Sequence, residues 1–210
     1  MKRKGCKMNE KFFSLPEKKQ QAVINAGFRV FSRNSYKNSP MSEIAADAGI
    51  SKSLLFYYFR NKKELYLFLW EKCAEFTVKA LAEYGCYAGD GLFESMEKGL
   101  KAKIALMREY PDMSFFALKV FYEKDPDISA AVRESCDKHF NFKTDSARLN
   151  FAADQFLPDI DLEMMYREMF LASEGYMWEA LQRGDTDIDK MESDFTEMMR
   201  FWKSIFLKKD

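Results

Sequence analysis

The chain has 210 residues, of which 47% are hydrophobic and 31% charged, and its 33 Lys and Arg balance its 33 Asp and Glu. That length buries a real core and divides naturally into one small and one larger domain, and the lack of an apolar run near 18 residues or of a signal-peptide pattern leads us to expect a soluble, cytoplasmic protein. The four cysteines, Cys6, Cys73, Cys86 and Cys136, lack paired spacing and fit a reducing compartment better than a disulfide framework.

The neutral total conceals a polarised chain. Residues 1–63 hold 14 Lys or Arg against 4 Asp or Glu, and the remaining 147 hold 19 against 29. A basic end attracts a polyanion and gains from counterion release, while an acidic remainder keeps the rest of the molecule away from it. Met1 to Lys7 carries Lys2, Arg3, Lys4 and Lys7 without an apolar run, which reads either as an arm for phosphate or a minor groove, or as an inert tail.

Ser39 to Tyr66 is the most informative stretch. Ser39 is expected to cap a helix with Pro40 at its first position, where a missing N–H costs nothing. Ile44, Ala45 and Ala48 give that helix a short apolar face, and Gly49 ends it where a positive φ is required. Ile50 packs the corner and Ser51 caps a second helix, whose inner face is Leu55, Tyr58 and Phe59. Lys52, Ser53, Leu54 and Tyr57 are left outward near its start. This is helix-turn-helix spacing, in which the second helix enters a major groove and its first residues meet base edges. A further helix is expected from Asn61, an N-cap with Glu64 three residues on. Lys62 and Lys63 in its first turn oppose the helix macrodipole, a penalty that a bound phosphate would reverse; the alternative is that they are solvated surface lysines.

On these residues, Ile24 to Tyr66 resembles the amino-terminal DNA-binding domain of the TetR family of bacterial transcriptional regulators. The resemblance rests on Ala26 to Phe31, Tyr36 and Ser39, Ile44-Ala45, Ala48-Gly49-Ile50-Ser51-Lys52, Phe56-Tyr57-Tyr58-Phe59 and Lys62 to Leu65. Three departures stand out. Ser53-Leu54 replaces the usual Gly-Thr, Phe56-Tyr57 the usual Tyr-His, and Ser35 the glycine before the aromatic, so the family's base preference does not carry over. Spacing and resemblance together give a DNA-binding set of Tyr36, Ser39, Ser51, Lys52, Ser53, Leu54, Tyr57, Tyr58 and Lys62.

Beyond this head the pattern is helical throughout, and the expected fold is all-α: an arm and three-helix DNA-binding domain over 1–60, then a larger helical effector-binding and dimerisation domain over 61–210. Leu65, Leu69, Cys73, Phe76 and Ala80 carry the helix that starts at Asn61, the fourth of the chain, to about Tyr84. Leu92 to Met107 marks the next, and segments near 113–123, 126–140 and 145–156 follow, punctuated by Pro111, Pro126 and Pro158. Two closing helices are expected from Leu162 to Arg183 and from Ile188 to Phe206, capped by Asp161 and Asp187. The resemblance implies that they form a four-helix bundle with a second copy, with Met169, Tyr176, Ala180, Phe195, Met198, Trp202 and Ile205 at the dimer interface; the alternative is that these residues fill an internal core. Met107, Phe116, Phe121, Tyr122, Tyr166, Phe170, Glu174 and Trp178 are candidates to line a pocket for a small-molecule effector, with ordinary core packing as the competing explanation.

The inventory gives no reason to expect an enzyme. His139 is the only histidine, Cys136-x-x-His139 lacks a convincing third metal ligand, and no phosphate loop or nucleophile elbow appears, so neither a metal nor a cofactor is expected. The expectation is a homodimeric repressor that a small molecule releases from a palindromic operator. An all-helical carrier or sensor with a non-functional motif, and a constitutive architectural DNA-binding protein, are the alternatives.

Overall fold

A computed structural model describes residues 10–88, 91–139 and 152–208. Among them run ten α-helices: α1 (Glu10–Phe13), α2 (Glu17–Arg33), α3 (Met41–Asp47), α4 (Lys52–Tyr58), α5 (Lys62–Glu83), α6 (Leu92–Glu109), α7 (Met113–Phe121), α8 (Ser129–His139), α9 (Leu162–Arg183) and α10 (Ile188–Phe206). A short 3₁₀ turn spans Ala153–Gln155, and an isolated antiparallel bridge joins Phe156 to Leu207. The chain forms two compact units, one of Met1–Ala74 with Tyr110–Asp137 and the other of Glu75–Glu109 with Lys138–Asp210.

The first unit is organised by aromatic rings. Phe31 and Phe116 each meet Tyr66, with ring centroids 4.9 and 5.2 Å apart, and Phe28 lies 5.3 Å from Phe116. All four are buried, which makes α2, α5 and α7 one packed body. Gly27 is there because α2 and α5 touch: a Cβ at that position would stand 2.5 Å from Leu69 Cδ1. Arg29 and Asp47 pair at 2.7 Å and tie α2 to α3.

Most of the expected punctuation is present. Gly49 takes φ 67° between α3 and α4, Gly85 closes α5 with φ 67°, and Gly184 closes α9 in the same conformation. Asp161 accepts from Met164 N, and Asp187 accepts from Asp189 N and Lys190 N. The first cap is a correction. α3 begins at Met41 with Pro40 as N-cap, φ −81° and ψ 130°, and without a side-chain cap. Ser39 is buried, and its hydroxyl donates to Ser35 O at 2.8 Å, so a polar group that must find a partner inside the fold takes the preceding turn. The 126–140 segment is helical only from Ser129, after a turn at Asp125–Ile128. α1 and the bridge at Phe156 have no counterpart in the sequence reading. The expected basic arm, most of the 145–156 segment and the side chains of Cys136 and His139 lie outside the described residues.

The second unit packs α10 against α6 around Leu92, Phe93, Phe156, Met165, Met169, Met199 and Trp202. Arg108 near the end of α6 bonds both Asp189, at 2.7 Å, and Glu192, at 2.9 Å, on α10. Among the described residues no helix is long and apolar enough to cross a membrane, and no cluster of three or more His, Cys, Asp or Glu could hold a metal ion.

Candidate nucleic-acid interface

The recognition element is built from its cap inward. Gly49 reverses the chain, with Ile50 N bonding Ala45 O at 2.9 Å, and Ser51 Oγ accepts from Leu54 N at 3.1 Å to start α4. Leu55, Tyr58 and Phe59 are buried, so the helix has a single orientation against its unit. Ser51, Lys52, Ser53, Leu54 and Tyr57 are exposed together on the outer side, and Tyr57 keeps 51% of its surface. Phe56 joins them at 38% exposure, with Lys52 Nζ 5.9 Å from its ring centre.

Tyr36, Ser39 and Tyr58 are placed differently: all three are buried. Tyr36 stacks on Phe31 and meets Tyr66 edge-on at 5.2 Å, while Tyr58 packs on Phe12 at 5.9 Å. Burial, reinforced by Asp127, Asp125 and Glu123, raises the Tyr36 phenol above its ordinary pKa. These side chains are packed into the first unit behind the exposed side of α4.

Asn61 caps the start of α5 as expected, while Glu64 reaches back one residue past it. Asn61 Oδ1 accepts from Glu64 N at 2.8 Å, and Glu64 Oε2 accepts from Arg60 N at 3.1 Å. The lysines have protein partners. Lys62 Nζ donates to Lys37 O at 2.8 Å and lies 4.7 Å from the Tyr36 ring centre, and desolvation lowers its pKa against a smaller opposing pull from Asp125. Lys63 Nζ donates to Asp127 O. Lys62, Lys52, Ser39, Met41, Phe56 and Asn61 share the lining of a 380 Å³ hollow that joins the ends of α3, α4 and α5. One contributor had no sequence signal: Lys11 of α1 donates from Nζ to the Tyr57 hydroxyl, and its ammonium lies 4.3 Å from the ring centre. The two are 46 positions apart, beyond the reach of any local spacing rule.

The proposed effector-pocket residues divide between the units. In the first, Phe116 is buried among rings while Phe121 and Tyr122 are exposed; in the second, Met107 is buried, Tyr166, Glu174 and Trp178 are half-buried, and Phe170 is exposed. Of the residues proposed for the dimer interface, Met169, Ala180 and Trp202 are buried inside the second unit, Tyr176, Phe195 and Met198 are half-buried, and Ile205 is exposed. Tyr176 donates to Asp194 Oδ2 at 2.7 Å and meets Phe195 edge-on at 4.8 Å, which joins α9 to α10 within one chain. Exposed apolar side chains on these helices that the sequence reading left unassigned to the interface are Met164, Phe170, Leu171 and Phe201.

Residues 23–68, which contain all of α3 and α4, match the family described as bacterial regulatory proteins, tetR family. Over 97 residues the chain is 27% identical to the HTH-type transcriptional regulator RutR of Escherichia coli strain K12, a match that takes in 46% of this chain and 44% of that protein. The crystal structure of a TetR-like transcriptional regulator from Rhodococcus sp. RHA1 superposes with TM-score 0.62 over 90% of this chain and 97% of its own, at 21% identity. The SmeT–triclosan complex does so with TM-score 0.57 over 92% and 93%, at 14% identity. At such identities the superpositions speak for the fold, and the 23–68 signature speaks for the head. Residues 23–68 thus carry the signature of bacterial regulatory proteins of the tetR family, and the chain as a whole shares the fold of TetR-like regulators.

Proposed function

We propose that the protein is a cytoplasmic, homodimeric repressor that binds a two-fold operator through α4 and leaves it when a small molecule binds the helical domain over residues 61–210. The observation that carries this reading is the division of α4: Leu55, Tyr58 and Phe59 fix it from within while Lys52, Ser53, Leu54 and Tyr57 stand outward at its capped start. A helix of seven residues reads only a few base edges, so a second copy reading a second half-site is the economical route to specificity. Exposed Phe170, Leu171, Phe201 and Ile205 on α9 and α10 support that pairing, because apolar surface of this extent on the terminal helices gains by being covered. The case for an effector rests on family likeness, including a fold neighbour seen with triclosan. If effector and operator favour different conformations of the dimer, each must weaken the other by the same factor.

The test is selection of fragments from the source genome by the purified protein, followed by titration of the enriched duplex at several salt concentrations. A shared inverted repeat and a steep fall of affinity with salt are expected, as is a marked loss in Tyr57→Ala and Lys52→Ala. Enrichment without any shared sequence would favour an architectural protein, and absence of binding at low salt would overturn the reading.

A further inference from the structure

α1 is four residues long, far too short to hold itself together, so its position is set by what it docks on. Phe12 is 1% exposed and sits among three rings, 5.1 Å from Phe59, 5.3 Å from Phe68 and 5.9 Å from Tyr58. Two of these, Tyr58 and Phe59, close the inner side of α4, so the anchor of α1 is the back of the recognition helix itself. The turn into α2 is tied as well. Gln20 Nε2 donates to Phe13 O at 3.2 Å and to Leu15 O at 2.8 Å, and Ser14 Oγ donates to Lys11 O at 2.8 Å. With Phe12 turned inward, its neighbour Lys11 comes round to the outer side and reaches Tyr57, where the ammonium bonds the hydroxyl with the ring centre 4.3 Å away. Lys11 and Tyr57 are exposed, so neither burial nor core packing accounts for the pair.

We propose that α1 is a docked clip that delivers Lys11 to the DNA-reading face, where its ammonium contacts a backbone phosphate beside the groove and fixes the position of Tyr57. The proposal rests on the operator-binding reading above. Its chemistry is simple: an ammonium has three N–H donors, so bonding a phenol oxygen does not prevent it from bonding a phosphate, and the bond to the hydroxyl restrains a side chain that would otherwise swing on the surface. Lys11 is thus a backbone-positioning contact supplied from outside the helix-turn-helix, and Tyr57 a groove contact whose geometry depends on it.

The experiment uses the full chain and the duplex that the wild-type protein itself selects. Lys11→Met, which keeps the aliphatic stem and removes the charge, should weaken binding roughly tenfold near 0.1 M salt and reduce the log–log salt slope by about one per protomer, with the melting temperature unchanged. Lys11→Arg should restore the slope. Because the two residues act as a unit, Lys11→Met combined with Tyr57→Phe should lose less than the product of the single losses. Wild-type binding with an unchanged slope in a folded Lys11→Met protein overturns the clip alone. Failure of the wild-type protein to bind any duplex overturns the operator reading and the clip with it.

Discussion

Replacing Gly27 by Ala sets two effects of opposite sign against each other in the middle of α2. Alanine is the better helix former by about 1 kcal/mol, so an open site would be stabilised. Gly27 is not an open site. The new Cβ would lie 2.5 Å from Leu69 Cδ1, 3.3 Å from Cδ2 and 3.4 Å from Cγ, where carbon atoms prefer about 3.5–4.0 Å. The whole isopropyl end of Leu69 must therefore retreat by about 1 Å, and Leu69 is fully buried, next in the chain to the equally buried Trp70. Overpacking of this kind costs about 1–3 kcal/mol, which offsets or outweighs the propensity gain and leaves a net loss of up to about 2 kcal/mol. Urea denaturation should show a lower midpoint with an unchanged slope. Leu69→Ala alone should cost about 2–5 kcal/mol by leaving a cavity, and in that background Gly27→Ala should turn stabilising, because the atoms it strikes are gone. A higher midpoint for Gly27→Ala in the wild-type background would refute the argument, since the contact would then be softer than the helix preference.

Ser51→Ala removes the cap on Leu54 N and should cost about 1 kcal/mol at the start of α4, read as a several-fold weaker operator titration. Lys52→Ala should reduce the salt slope of DNA binding more than Lys62→Ala, because Lys52 is exposed at the start of α4 whereas Lys62 is half-buried and held on Lys37 O and the Tyr36 ring. Burial, and then the bond to Asp194, hold the Tyr176 hydroxyl above its ordinary range. Its contribution to stability is therefore intact below the unfolded pKa near 10 and erodes as pH rises beyond it; Tyr176→Phe should flatten the fall in stability measured above about pH 10. Phe201→Glu, at a side chain 60% exposed, should leave the helical content intact while shifting sedimentation from dimer toward monomer.

The elements that were legible in the sequence are those fixed by neighbours a few residues away. Asp161 with Met164, Asp187 with Lys190, and Asn61 with Glu64 are caps that close within one helical turn, so α9, α10 and the start of α5 could be placed from spacing alone. The inner and outer sides of α4 follow from the same 3.6-residue period. Ser39 was misread for an instructive reason. A serine before Pro-Met-Ser-Glu has every local mark of an N-cap, but once Tyr36 packs against Phe31 and Tyr66 the serine is buried, and its hydroxyl turns to the nearer Ser35 carbonyl. α1 was invisible because nothing local stabilises four residues; it exists through Phe12, whose partners lie more than 40 positions away.

The same distinction bears on how the charge of the first 63 residues would be used. An excess of lysine there could act as a diffuse cloud, adding attraction without geometry. The structure holds several of these cations in defined places instead: Lys62 on the Lys37 carbonyl and the Tyr36 ring, Lys63 on the Asp127 carbonyl, Lys52 near Phe56, Lys11 on Tyr57. Each such contact draws the ammonium toward a carbonyl or an aromatic ring before any phosphate arrives. Binding then loses less side-chain entropy on ordering, but it must exchange the existing partner where the two compete. An ammonium has three N–H donors, so neither a carbonyl nor a ring partner by itself excludes a phosphate, and what differs between these lysines is where the existing partner holds them. By this argument Lys11 and Lys52, exposed beside the outer side of α4, are expected to be the more effective backbone contacts, whereas Lys62 on the Lys37 carbonyl and the Tyr36 ring and Lys63 on the Asp127 carbonyl serve first to brace the start of α5.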